Sequence, residues 1–290
     1  MNKPGQKPMK PILITGATGR VGREVVSQLL AEGARVRALT RNPDAAALPA
    51  DVEVVRGDLT IPETLTAALD DISKIFLVWT SAAGAFPDAL KQMARSAERV
   101  VFLSSPHKTP HPFFQQPNPV AAMYADLEQL IERSGLQCTF LRPGMFAANA
   151  LSWWVPQIRA GDVVRWPYAD AATAPIHEKD IAAVAVRTLV DNGHERSDLV
   201  LTGPRSLSQS QQVTMIGDVI GRPLHLEEIS PDQARHELGF PPPIIDMLLN
   251  AWAAALGRPA FVTNTVEEVT GNPARTFRDW VSDHSAEFHP

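Results

Sequence analysis

The chain has 290 residues, 44% hydrophobic and 20% charged, with a formal net charge of −5 and a single cysteine, Cys138. That length suits one large domain or a major domain with a smaller satellite, and the composition excludes a disordered chain. The acidic balance argues against nucleic-acid binding, which needs a basic stripe, and one cysteine excludes an internal disulfide or a cysteine-built zinc cage. The longest apolar stretch, Ile244 to Leu256, is broken by Asp246 and Asn250, so no membrane span is expected. Met1 to Lys10 lacks an apolar core and reads as a frayed start, not a signal peptide, which leads us to expect a soluble cytoplasmic protein, as a monomer or homodimer.

In chain order, Pro11 to Thr15 is a short apolar run ending at glycines and predicts a buried strand. Arg20 to Glu32 carries Val21, Val25, Leu29 and Leu30 at helical spacing and is closed by Gly33. Ala34 to Thr40 and Val52 to Arg56 predict strands two and three, and Pro62 to Leu69 a helix entered through its proline. Ile75 to Trp79 and Val100 to Ser104 predict strands four and five, with a helix over Pro87 to Ala97 between them. Val120 to Ser134 reads as a helix stopped by Gly135, and Gln137 to Arg142 as strand six. Alternating helices and fully apolar strands imply an α/β fold, a doubly wound parallel sheet of the Rossmann type covered on both faces.

The second half is less regular. Tryptophans and prolines cluster from Trp153 to Pro175, and helices are predicted over Asp180 to Val190, Ser208 to Ile220, Pro231 to Leu238, Ile244 to Leu256 and Pro273 to His284. Short strands fit Leu199 to Thr202 and Leu224 to Ile229. We expect residues 1–150, completed by 178–203, to form the nucleotide-binding domain, and residues 151–177 with 204–290 a smaller α-rich substrate lobe over the sheet's carboxyl edge. The stretch Ser105 to Pro119 holds five prolines and two phenylalanines, an unusual loop that suggests a lid.

The sharpest motif is Thr15-Gly16-Ala17-Thr18-Gly19-Arg20-Val21-Gly22, between the first strand and the first helix. Gly16 allows a tight turn, Gly19 lets backbone amides approach a pyrophosphate, and Gly22 lets the helix pack closely. The open N–H groups and positive dipole at the helix start then face the phosphates, with Thr18, Arg20 and Val21 in the contact set. An NAD site places an acid at the end of the second strand. Here the strand ends Thr40-Arg41-Asn42, with Arg20, Arg35 and Arg37 nearby. A guanidinium forks onto a 2′-phosphate, which favours NADP(H); the lesser alternative is that Arg41 is only a solvated surface residue, and Asp44 lies close. Asp58 can accept from the adenine amino group while Leu59 packs on the ring, or it is simply a turn residue.

Together these segments resemble the short-chain dehydrogenase/reductase superfamily in its atypical NmrA-like branch. The resemblance is carried by the glycine loop, Thr40 to Pro43, Gly57-Asp58-Leu59, Ser104-Ser105, Leu141-Arg142-Pro143-Gly144-Met145-Phe146 with Asn149, Ile176 to Ala182, and the tail Val266 to Phe277. It extends to the bacterial NAD(P)H-binding proteins and the fungal ergot-alkaloid reductases of the festuclavine synthase and agroclavine dehydrogenase type. It implies that Pro143, Gly144, Met145 and Phe146 flank the nicotinamide and that the second lobe closes over the substrate. Trp79, at the end of strand four, is placed with the cofactor.

The superfamily usually protonates its substrate from a tyrosine in Tyr-x-x-x-Lys. This chain has two tyrosines. Tyr124 is followed four residues later by Glu128 and Tyr168 by Ala172, so neither has the lysine. Glu128 is expected to raise the Tyr124 pKa, leaving a neutral phenol that can donate a hydrogen bond. Ser105 and His107, just after strand five, are the other candidate donors. His107 and His111 have the spacing of a metal pair, but Pro110 prevents a regular helix and no metal is assigned. Phe113, Phe114, Asn149, Trp153, Trp154 and Trp166 make an apolar, aromatic substrate site, or alternatively inter-lobe core. Asp180 is expected to cap the helix that follows. These features predict an NADPH-dependent reductase of a hydrophobic, polycyclic ketone or imine in specialised metabolism. An NADPH:quinone oxidoreductase and a non-catalytic NADP(H) sensor are the alternatives.

Overall fold

The computed structural model describes residues 10–289, so most of the expected frayed start lies outside the described residues. The elements run β1 (Ile12–Ile14), α1 (Arg20–Ala31), β2 (Val36–Thr40), β3 (Glu53–Arg56), α2 (Thr66–Leu69), β4 (Lys74–Leu77), α3 (Phe86–Ser96), β5 (Arg99–Leu103), α4 (Pro119–Arg133) and β6 (Gln137–Pro143). There follow α5 (Asn149–Trp153), α6 (Val155–Ala160), β7 (Val163–Trp166), β8 (Ala172–Thr173), α7 (Glu178–Val190), β9 (Ser197–Leu201), β10 (Leu207–Ser208), α8 (Gln209–Ile220) and β11 (His225–Glu228). The chain ends in α9 (Pro231–Glu237), α10 (Pro242–Ala255), α11 (Thr265–Thr270) and α12 (Phe277–Asp283). Among the described residues no helix is long and apolar enough to cross a membrane.

The main sheet has the order β3-β2-β1-β4-β5-β6-β9, and β1 through β6 pair in parallel, with Ile14 opposite Ala38 on one side and Phe76 on the other. This is the Rossmann-type α/β arrangement expected from the alternation of apolar runs and helices. The reversal of strand order at β1 puts the carboxyl ends of β1, β2, β3 and β4 side by side, the edge where open α/β sheets bind ligands. All of β1 is buried, as a parallel strand covered on both faces must be, and α1 buries Gly22, Val25, Val26 and Leu29 at helical spacing. The predicted helix at Pro62 begins as a 3-10 turn over Pro62–Leu65 and becomes α2 only at Thr66.

The described chain divides into two compact units. One holds residues up to Ser104 with 123–141 and 181–199; the other holds 105–122, 142–180 and everything from Val200. The proline-rich stretch and residues 142–150 thus fall in the second unit. In the first unit the core gathers Trp79, Phe86, Phe102 and Phe140 around β4 and β5. The buried Arg99 guanidinium bonds the carbonyls of Thr188 (3.2 Å) and Asp191 (2.7 Å), supplying donors to the last turn of α7. In the second unit Trp154, Trp166 and Trp252 form the core, with Phe277, Trp280 and Phe288 from the C-terminal segment. Three helices there open with capping boxes, at Ser208, Ser230 and Thr276.

Candidate functional site

The first site is built by the turn from β1 into α1. Gly16 has φ +63°, a left-handed conformation that a side chain resists. The Gly19 N–H then reaches the Gly16 carbonyl at 2.9 Å and closes the turn. A Cβ on Gly22 would lie 2.1 Å from the Gly16 oxygen, so the first turn of α1 rests directly on the loop backbone. Gly19 occupies the cap position of α1 and no side chain caps that end. The result is a cradle of main-chain amides that any Cβ would crowd, at the positive end of a helix, which fits a diphosphate. Thr18, Gly19 and Arg20 are exposed and Val21 is half-buried.

Two residues that the sequence reading did not single out hold this loop. The Thr15 hydroxyl accepts the Val78 N–H at 2.7 Å and ties the end of β1 to the end of β4. The Arg23 guanidinium bonds the carbonyls of Thr18 (3.0 Å), Ala47 (2.8 Å) and Ala46 (3.0 Å), bracing the loop against the segment after β2. Nothing in the local sequence marks these partners, which lie 24 and 63 residues away.

Arg41 and Asp58 follow the ends of β2 and β3, whose last residues Thr40 and Arg56 are register partners. The Asp58 carboxylate accepts the Thr60 N–H and hydroxyl, both at 2.8 Å. These bonds, with a smaller contribution from the Arg41 charge, hold it below the usual carboxylate range. Asp58 is therefore at least a turn residue, with Leu59 half-buried beside it. Arg35 and Arg37 do not join Arg41. They flank the start of β2, at the opposite edge, and Arg37 is spent on the carbonyls of Ala67 and Ala68 and on Glu53. Trp79 also departs from expectation: its side chain is fully buried, edge-on to Phe86 at 4.9 Å, and belongs to the core, not to a cofactor surface.

Tyr124 on α4 donates its O–H to the Trp79 carbonyl at 2.8 Å. Burial raises its pKa, and Glu128 is not the cause. Glu128 points to Ser104, whose hydroxyl donates to it at 2.6 Å. The phenol is thus a tie between α4 and the end of β4. Tyr124→Phe should cost about 1 kcal/mol of stability through this lost bond, and steady-state turnover is expected to stay within about twofold of wild type, since the O–H is already given to a backbone carbonyl. A turnover loss of a hundredfold would return Tyr124 to the chemistry.

The second unit carries a small cleft with a cavity volume of about 10 Å³, lined by His111, Phe113, Phe114, Gly144, Met145, Ala172, Thr173, Ala174, Thr202, Ala260 and Phe261. Its floor is fixed by the chain after β6. The Gly144 N–H bonds the Leu201 carbonyl (2.8 Å), the Ile176 N–H bonds the Met145 carbonyl (2.9 Å), and Phe146 bridges Ile176. Pro143 is buried. Phe113 and Phe114 meet edge to face at 4.9 Å. Asn149, expected at the substrate, directs its amide to the Met145 sulfur at 2.9 Å, one helical turn back. His107 sets Nδ1 3.0 Å from the Ser105 carbonyl.

Trp154 and Trp166 are not cleft residues. Both are about 1% exposed in the tryptophan core, and the Trp166 N–H donates to Gln209 at 2.7 Å. Trp153 is half-buried and stacks on Trp166 at 5.6 Å. Large aromatics supply core area first, which is why composition alone misplaced them. Phe261 and Ala260, which do line the cleft, were missed because they sit in an irregular segment with no periodicity. Asp180 is the third residue of α7 and does not cap it; its carboxylate instead takes the Arg275 N–H at 2.7 Å and pairs with the Arg275 guanidinium.

Residues 16–192 match a protein-family model described as NAD(P)H-binding. The chain is 37% identical over 288 residues to a (4-alkanoyl-5-oxo-2,5-dihydrofuran-3-yl)methyl phosphate reductase of Streptomyces griseus, covering 96% of this chain and 99% of that protein. It is 33% identical over 291 residues to an NAD(P)H azoreductase of Xenophilus azovorans, covering 96% and 99%. Among solved structures, an NADPH-dependent quinone oxidoreductase of Escherichia coli superposes with a TM-score of 0.79 at 25% identity, over 94% of this chain and 99% of that one. A match over more than half of the chain, at the loop whose glycines shape a phosphate cradle, and reductase relatives aligned almost end to end establish that this chain belongs to the NAD(P)H-binding family.

Proposed function

We propose that the protein is an NADPH-dependent reductase of a hydrophobic small molecule. The observation that carries this is the pairing of the amide cradle at Gly16, Gly19 and Gly22 with a guanidinium, Arg41, where an NAD site would hold an acid. The cofactor, when bound, supplies a hydride. The chain's own work is to seat the diphosphate on the first turn of α1, to grip a 2′-phosphate with Arg41, and to offer the acceptor an apolar surface around Met145 and Phe114.

The proton side of the reaction favours acceptors that need little help. Tyr124 gives its hydrogen to a backbone carbonyl and lacks the lysine that would activate it. An iminium needs hydride alone, and a quinone yields a delocalised anion that solvent protonates. A ketone would need Ser105 or His107 as donor. The quinone reading is the second one, and the names of the relatives from Xenophilus and Escherichia, which act on azo compounds and quinones, support it.

The test is NADPH oxidation followed by absorbance with a panel of ketones, cyclic iminiums and quinones. Reduction of at least one class is expected, and tight NADPH binding with no oxidation of any would favour a nucleotide sensor. Arg41→Ala should lower the NADPH-over-NADH preference by about tenfold or more, the size of one lost charge-assisted contact. An unchanged ratio sinks the phosphate assignment.

A further inference from the structure

The ends of β2 and β3 carry an inference that rests on the NADPH reading and adds a residue to it. These two strands pair in parallel from Arg37 opposite Glu53 to Thr40 opposite Arg56. At the start of the pair the opposed charges neutralise each other, with Arg37 Nε 3.0 Å from a Glu53 carboxylate oxygen. The far end, on the carboxyl edge of the sheet, is different. Arg56 ends β3 and Arg41 follows β2, both are exposed, and among the described residues neither guanidinium is ion-paired with a carboxylate. Asp58 feels the Arg41 charge, but the bonds it makes go to the Thr60 N–H and hydroxyl. Elsewhere exposed arginines are paired, as Arg187 is with Glu32, Arg222 with Asp162 and Arg278 with Asp218.

β3 is the edge strand of the main sheet, so a side chain at its end has open solvent on one side. Arg56 turns the other way. Its Nη1 lies 3.5 Å from the Arg41 carbonyl, across the end of β2. That contact is long and engages one of the five N–H donors of a guanidinium. Two like charges thus occupy neighbouring strand ends, an arrangement that mutual repulsion opposes and an anion between them relieves. A dinucleotide seated on the glycine turn brings its ribose 2′-position to the end of β2. A phosphate there has oxygens enough for two guanidinium forks.

We propose that Arg56 is a specificity-determining residue that, together with Arg41, clamps the 2′-phosphate of NADPH from the β3 side. Arg41 stands where an NAD site holds an acid, and Arg56 adds a second fork from a different strand, so the phosphate bridges the ends of β2 and β3. NADH offers neither guanidinium a phosphate and loses nothing when Arg56 is removed.

The test is titration calorimetry of the full chain with NADPH, NADH and 2′,5′-ADP, with no acceptor present. Arg56→Ala should weaken NADPH and 2′,5′-ADP about five- to tenfold and leave NADH within about twofold. Arg56→Lys should recover part of the loss, because an ammonium keeps the charge without the fork. Arg35→Ala removes the same charge at the opposite edge of the sheet and should leave NADPH binding within about twofold. Arg41→Ala combined with Arg56→Ala should bring the two dinucleotides to within about threefold of each other. NADPH affinity should fall with rising salt more steeply in the wild type than in Arg56→Ala. Equal weakening of NADPH and NADH by Arg56→Ala would place Arg56 on the adenosine and overturn the proposal, as would an unchanged NADPH affinity. Loss of the NADPH preference in Arg41→Ala with no response to Arg56→Ala fells the clamp and leaves the reductase reading standing. Arg56-dependent NADPH binding with no oxidation of NADPH by any acceptor fells the reductase reading and leaves the clamp.

Discussion

Gly22→Ala should abolish useful nicotinamide-nucleotide binding. The new methyl would lie 2.1 Å from the Gly16 oxygen, 2.7 Å from its carbonyl carbon and 2.9 Å from Ala17 Cα. All three are backbone atoms, so no side chain can rotate away and either the loop or the first turn of α1 must shift. Overpacking in a dense interior costs about 1–3 kcal/mol and sometimes more; here the displaced group is the phosphate cradle itself. Titration calorimetry should show NADPH affinity reduced by about a hundredfold or more, equal to roughly 2.7 kcal/mol, with a lower melting temperature. Gly19→Ala is the contrast. Its methyl would approach only the Gly16 oxygen, at 3.3 Å, so its melting temperature should stay near wild type. If Gly22→Ala binds NADPH like the parent, the packing argument is wrong.

The second large effect belongs to a buried carboxylate. Glu178, in the first turn of α7, accepts from Trp280 Nε1 at 3.0 Å and His284 Nε2 at 2.6 Å, with His177 Nδ1 3.4 Å away. Burial opposes its ionisation, but the bonds from His177, His284 and its own amide outweigh that and hold it far below the usual carboxylate range. His284 is raised above the ordinary histidine value, chiefly by Glu178, with Glu287 at 2.8 Å adding to it against the cost of burial. Glu178→Ala would strand the buried Trp280 N–H and an imidazolium, and breaking a buried pair costs about 3–5 kcal/mol. The melting temperature should fall by roughly 6–15 °C.

The pH dependence follows from the same contacts. Glu178 has a depressed folded pKa, so its contribution is present above about pH 4.3 and is lost only as pH falls through the folded value. His284 has a raised folded pKa, so its contribution is full below about pH 6.5 and is lost as pH climbs through the folded value. Melting temperature should therefore form a plateau between those limits and decline on the alkaline side. His284→Gln should flatten that decline, and an alkaline limb identical to wild type would show that the tie does not control it.

Local chemistry made the first unit readable. Apolar runs of three to five residues could only be covered parallel strands, and glycines between a strand and a helix could only be a close turn. The Gly16 conformation and the Gly22 contact follow from residues within seven positions of each other. Where partners lie far apart in sequence the reading failed: Arg37 was drawn to carbonyls of α2, Arg23 to those after β2, and Glu128 to Ser104. Burial misplaced the aromatics, because a tryptophan that lines a ligand and one that fills a core look the same in sequence.

The sequence by itself determined the α/β fold, the glycine turn and the arginine where an acid would select NAD, because each depends on neighbours along the chain. Only the tertiary structure decided which aromatic rings face a cleft, where the Tyr124 proton goes, and that Glu178 and His284 fasten the C-terminal segment. Those outcomes depend on which distant groups compete for the same buried space and the same hydrogen bonds, a competition resolved only when the chain packs.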